Sequence, residues 1–201
     1  EPVADADNMH LISAWLWGDA ADPIDGCLSD ICEELLFGHA GAPLRKLLES
    51  SGLCRSFQGS GDMDYCRHGI MRLEAHGCSS SQFAEIFHLI ETSIHEVCQT
   101  GFTADEIEIA IKQIEMQERY VGGDHEPHGL QLCDQIISAW NYQLNPSEHL
   151  DTDKNFKIIR QQYQANPQLF VELMRKRFQN EKQQVQLTTA IADDFDEQLT
   201  R

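Results

Sequence analysis

Long apolar runs are missing. No stretch of the 201 residues approaches the ~20 needed to span a bilayer, so an integral membrane protein is not expected. Positive charge is scarce as well. Fifteen Lys and Arg stand against 33 Asp and Glu, a net charge of −18. That balance repels phosphate backbones and anionic lipid, which argues against nucleic acid and membrane partners and leaves basic ones open. No signal peptide opens the sequence, since EPVADADN is acidic and short. The first residue is Glu1 rather than Met, so the expectation is a piece of a longer protein. Missing targeting signals then say little about the parent.

Cysteine is present without a framework. Cys27, Cys32, Cys54, Cys66, Cys78, Cys98 and Cys133 are odd in number and form no CxxC pair. They read as buried small hydrophobes in a reducing compartment, either a bacterial cytoplasm or an organelle matrix. What remains is globular: 41% hydrophobic and 24% charged residues exclude disorder for the bulk. A chain this long buries about 70% of its unfolded surface, enough for a core without staples.

The periodicity divides the chain into strands and helices. HLISAWLW (10–17) is apolar on both faces and reads as a central strand ended by Gly18. Leu28, Ile31, Cys32, Leu35 and Leu36 recur at helical spacing up to Gly38. Pro43 opens a short helix with Leu44, Leu47 and Leu48 on one face and Gly52 just past its end. Met71, Leu73 and Ala75 then alternate with polar residues, predicting a strand over 66–76. A shorter strand over 54–58 precedes it, with Gly59-Ser60-Gly61 as the intervening turn.

Helices dominate the remainder. Phe83, Ile86, Phe87, Ile90, Ile94, Val97 and Cys98 trace one stripe of a helix over 81–100. Thr103 with Glu106 is a capping box opening a helix over 104–121, stopped by Gly122-Gly123. DHEPHG (124–129) reads as a loop before a helix bearing Leu130, Cys133, Ile136, Ile137 and Trp140. Shorter helices follow near 147–150 and 153–164. Asn166 as N-cap and Pro167 as first residue open one more, with Phe170, Leu173, Met174 and Phe178 inward. Val185, Leu187, Thr189 and Ile191 alternate as a closing strand over 184–191. Without repeated βαβ units, the order predicts an α+β fold, one largely antiparallel sheet layered with helices. It is read as a single domain over 9–193 between tails 1–8 and 194–201.

Catalytic chemistry has few places to reside. His95-Glu96 begins an HExxH zinc pattern, but position 99 is Gln. His88 and Glu91 begin the inverted HxxEH pattern, but position 92 is Thr; Glu148-His149 could end one, but position 145 is Asn. A catalytic zinc needs about three protein ligands and an open water position, and none of these segments supplies them. His88, Glu91 and His95 still share one helix face, and His125 and His128 flank Glu126-Pro127; both groups read as solvated polar surface rather than metal sites. GxSxG, P-loop and GxGxxG motifs are absent. No catalytic, cofactor-binding or metal-binding residue is assigned.

Four ordered blocks carry a family resemblance. LLFGHAGAPLRKLLESSGL (35–53) is similar to the segment after the catalytic domain in the presequence-protease branch of the pitrilysin/insulinase zinc metallopeptidases. GFTADEIEIAIKQIEMQER (101–119), LQLCDQIISAWNYQLNPSEHLD (130–151) and NPQLFVELMRKRFQNEKQQVQLTTAIADDF (166–195) match in order, and HLISAWLWG (10–18) fits. Ala42 stands where the family has Ser before Pro43. The resemblance implies a non-catalytic second domain of a zinc-dependent oligopeptidase. Such a domain packs on the preceding zinc-bearing domain, faces the other half of the protease and lines a chamber for unfolded or targeting peptides. The zinc and its ligands belong to that preceding domain, so no site residue carries over. The alternative is a stand-alone, inactive binding or assembly subunit sharing the fold.

The isolated chain is therefore expected neither to hydrolyse peptides nor to retain stoichiometric zinc at neutral pH. Metal analysis after gel filtration, with a peptide-cleavage assay, checks this. About one tightly held zinc per chain, or cleavage lost on altering His88 or His95, would contradict it.

Overall fold

The computed structural model describes residues 9–19, 22–62, 67–119, 127–179 and 184–189. Both expected tails, Cys66, Gly122-Gly123 and His125 lie outside the described residues.

Strand β1 (Met9–Asp19) buries Leu11, Ser13, Trp15 and Trp17 on one face. It pairs with β3 (His68–Cys78) on one side and β4 (Gln184–Thr189) on the other. Strand β2 (Ser56–Asp62) pairs with the far edge of β3, giving the order β2-β3-β1-β4, every pair antiparallel. The fold is α+β with an antiparallel sheet, as the periodicity implied. Gly59-Ser60-Gly61 is not the turn but part of β2, and the connection falls after Asp62. Packing explains the difference. Phe37 and Glu33 lie against the backbone of Gly59 and Gly61, where any Cβ would overlap them.

Helix α1 (Pro23–Glu33) starts where Asp22 accepts a hydrogen bond from the Ile24 N–H and Pro23 fills the first position. The expected single helix to Gly38 changes character, since Glu34–Gly38 is π-helical. α2 (Pro43–Ser51) ends at Gly52 with φ +69, the left-handed value that glycine takes without penalty. α3 (Phe83–Thr100) buries Ile86, Ile90, Ile94, Val97 and Cys98. α4 (Ala104–Glu118) opens on the capping box: Glu106 N–H donates to Thr103 Oγ1, and Thr103 N–H donates to Glu106 Oε2. That bonding holds the Glu106 carboxyl below its ordinary range.

α5 (His128–Asn141) begins inside the segment read as a loop. Its Leu130, Cys133, Ile137 and Trp140 are exposed rather than inward, while Ala139 is buried. α5 packs beside α6 (Pro146–His149). α7 (Thr152–Ala165) follows, and α8 (Leu169–Phe178) starts two residues later than expected. The reason is that Asn166 closes α7 through its N–H to Gln162, while its side chain accepts from the Gln168 N–H in a local turn.

α1 and α8 lie against β1, and α1 and α2 against β2; α3 packs on α2 and α8, and α4 on α1 and α7. One hydrophobic cluster joins these helices to the sheet. Arg177 of α8 ties it together. Its Nη1 donates to Ser29 Oγ at 2.9 Å, its Nη2 meets Asp25 Oδ1 at 2.5 Å, and its guanidinium lies 5.0 Å from the Trp17 ring. Asp25 Oδ2 accepts from the Asp19 N–H at 2.8 Å, so the same carboxylate also fixes the end of β1.

Arg177→Met keeps much of the stem but leaves Asp25 without its cation. Loss of about 3–5 kcal/mol is expected by chemical denaturation. Arg177→Lys, which keeps charge but not the fork, is expected to lose less. A loss under about 1 kcal/mol for Arg177→Met would remove the pair from its structural role.

Candidate functional site

The sequence-derived candidates do not converge. His88, Glu91 and His95 are exposed on α3, and two of them are engaged apart from one another: His95 Nε2 accepts from Gln99 Nε2 at 2.6 Å, and Glu91 Oε1 accepts from Gln186 Nε2 at 3.5 Å. His128 opens α5, and its partner His125 lies outside the described residues. Among the described residues no group of three or more His, Cys, Asp or Glu side chains converges. The donor set among the described residues does not fit a catalytic zinc. Nor is any helix among the described residues long and apolar enough to cross a membrane.

Two surfaces stand out instead. The first is the sheet face turned away from the core. Even-numbered residues of β1 sit there, opposite partners fixed by register: Ile12 faces Leu187, Ala14 faces Val185 and Leu16 faces Ile70. Period-2 alternation requires this once Leu11, Ser13, Trp15 and Trp17 point inward. Leu16 is 39% exposed, Val185 63% and Leu187 51%. Apolarity on both faces was legible in HLISAWLW, and β1 is central in strand order. Its outer face is nevertheless left uncovered by the helices among the described residues. A contiguous apolar row left open marks an interaction surface.

The second is a cleft of about 620 Å³ between the end of α1, the π-helical turn, α4 and β2. Asp30, Glu33, Glu34 and Glu118 line it, with Arg45 the cation at its edge. Burial, helped by the nearby charge of Asp30, pushes the Glu33 carboxyl up to about 8, although the Gly61 N–H and Arg177 oppose the shift. Its Oε1 is buried with no hydrogen-bond partner of its own among the described residues. Burial also raises the thiols of Cys27 and Cys32 to about 12, so these two are packing groups rather than nucleophiles. Nothing in the residue spacing distinguished Glu33 from its neighbours, because its environment is made by β2, about 28 residues on.

Known proteins place this arrangement. A family model described as the peptidase M16 inactive domain matches residues 2–114. The chain belongs to that family. The presequence protease of mouse mitochondria is 25% identical over 189 residues, covering 94% of this chain but 18% of the relative. The chain therefore spans about a fifth of the length of the curated relatives it matches most fully. Among solved structures, the inactive peptidase domain of a putative zinc protease from Bordetella parapertussis superposes with a TM-score of 0.72 at 12% identity, covering 92% of each chain. The ferredoxin protease FusC, solved in complex with Arabidopsis ferredoxin, gives 0.67 at 13% identity, over 93% of this chain and 19% of that one. At such identities the likeness to the M16 structures shows the fold. The M16 inactive domain here is thus a non-catalytic protease domain with an open sheet face and an acidic cleft.

The raised Glu33 carboxyl makes a prediction about stability. Its folded value lies above its unfolded value of 4.5, so its contribution is complete below about 4.5 and is lost as pH climbs through about 8. Glu33→Gln removes that loss. Urea melts of the variant are expected to exceed wild type by on the order of a few kcal/mol at pH 8 and to differ little at pH 4.5. Equal stabilities across that range would contradict it.

Proposed function

We propose that this domain is the non-catalytic wall of a zinc-dependent oligopeptidase that degrades unfolded or targeting peptides. In this reading it packs on the zinc-bearing domain of the same protein and turns its uncovered sheet face toward the substrate chamber, opposite the other half. The observation that carries the proposal is the apolar row of Ile12, Leu16, Ile70, Val185 and Leu187, which no described helix covers. An extended peptide with no fixed side-chain pattern is served by a broad, shallow apolar surface, because burial is non-directional. Closing the chamber around it excludes water and folded proteins. Relatives named as mitochondrial or chloroplast presequence proteases support targeting peptides as substrates. They also suit an organelle matrix or its bacterial counterpart, the cytoplasm, as the compartment.

Charge adds a second element to the same reading. Targeting peptides are amphipathic and Arg-rich, and a net charge of −18 attracts them at long range. The acidic cleft beside β2 concentrates that field at one sheet edge.

Leu16→Asp together with Leu187→Asp tests the wall directly. Both positions are exposed, so the stability of the isolated chain is expected to stay within about 0.5 kcal/mol per substitution. In the full-length protease the double variant is expected to lower kcat/KM for unfolded peptides about tenfold, equivalent to ~1.4 kcal/mol. Unchanged kcat/KM would overturn the assignment of this face. Raising salt is expected to lower kcat/KM for an Arg-rich peptide and to spare a neutral one, because a Debye length of ~8 Å screens exposed charge. Salt-independent cleavage of the basic peptide would remove the steering element.

A further inference from the structure

His10 and His76 are cross-strand partners, one near the start of β1 and the other near the end of β3. Both occupy the outer face of the sheet, and neither has a role in the wall described above. Their rings meet edge to face, with centroids 4.7 Å apart and an interplanar angle of 73°. The two Nδ1 atoms stand 2.5 Å apart, closer than an ordinary N–H···N bond. The second nitrogen of His76, Nε2, is buried with no hydrogen-bond partner among the described residues, and the Glu74 Oε2 charge stands 3.4 Å from it. A carboxylate there favours the tautomer with the proton on Nε2, which leaves the His76 Nδ1 lone pair aimed at His10.

We propose that His10 and His76 form a chelating site for a divalent late-transition-metal ion, clamping β1 to β3 through their Nδ1 atoms. Two imidazole nitrogens bound cis at about 2.0–2.1 Å lie about 2.9–3.3 Å apart. The two Nδ1 atoms face each other almost along the line between the ring centroids, so binding moves them about half an ångström apart and turns each ring by about 35–45°, a rotation open to the broad χ2 torsion of histidine. On binding, His10 turns to its Nε2–H tautomer, its Nδ1 proton exchanging through solvent onto Nε2, so that both neutral rings present an Nδ1 lone pair to the ion. No third protein ligand joins them among the described residues, so water completes the coordination sphere. Imidazole pairs with open positions favour nickel and copper over manganese or magnesium. The clamp is weaker than a structural three- or four-ligand zinc site. It is also independent of the chamber reading, since it needs only this chain.

Nickel(II) titrated into the 201-residue chain and followed by backbone amide NMR tests the site. Paramagnetic broadening is expected first at residues 9–12 and 74–78, saturating near one ion per chain. His10→Ala and His76→Ala should each abolish that local broadening. His10→Gln, which keeps a hydrogen-bonding side chain in place, should fold as wild type and lose it too. Glu74→Gln keeps both ligands but loses the nearby negative charge that favours the Nε2–H tautomer of His76, and weakens binding about tenfold. His95→Ala should change nothing. Broadening centred on α3 or on Cys133, or broadening at β1 and β3 that survives in His10→Gln, would overturn the proposal.

Discussion

The Arg177 guanidinium, held between Asp25, Ser29 and the Trp17 ring, is the contact on which the layered arrangement depends. It joins residues about 150 positions apart in sequence, bringing the last helix onto the first strand and the first helix. Burying a charge is costly unless it is paired and hydrogen-bonded. Here Asp25 supplies the pairing, Ser29 a further acceptor and Trp17 a polarizable face. Trp17 itself is fully buried, and Phe178, next to Arg177 in sequence, packs with its ring centroid 5.0 Å from that of Trp17. The polar and apolar contacts therefore fix α8 in one orientation. With α1 and α8 locked on the inner face, no helix among the described residues covers the outer face of β1.

That bare face and the acidic cleft both run against the usual economy of a folded domain. Val185 and Leu187 would be safer as polar residues on a domain that met only water. Glu33 would be cheaper as a neutral group, since its buried carboxyl sits beside Asp30. Features that cost stability and add nothing to the core are the ones selection for contact with something else explains most simply. In the proposed reading the domain has two such contacts to make: one with the domain that bears the metal, the other with the peptide.

Much of the fold was legible in the residues. Period-2 alternation in 71–75 and the stripe from Phe83 to Cys98 gave a strand and a helix at nearly their observed positions. The Thr103–Glu106 capping box and Gly52 marked helix ends because each has a local mechanism. Failures came where distant partners overrode local signals. Gly59 and Gly61 read as a turn because glycine usually marks one, yet their lack of a Cβ serves Phe37 and Glu33 instead. Asn166-Pro167 carried the signature of a helix start, but Asn166 was already committed to ending α7. The apolar residues of α5 were legible as a helix, but Trp140 and Ile137 face outward because the face they share has no partner among the described residues. The candidate site was legible only in outline: HLISAWLW announced a strand apolar on both sides, but not which side would remain open. Glu33 and the His10–His76 pair depend on strand register, which no spacing along the chain reveals.

The most direct measurement is photocrosslinking within the full-length protease, its zinc site disabled so that bound peptide is not consumed. A photoreactive residue at position 187 reports on the outer sheet face, and one at position 109, exposed on α4, serves as reference. The account predicts that an unfolded peptide is captured at 187 and not at 109. Capture at 109 with none at 187 would contradict it.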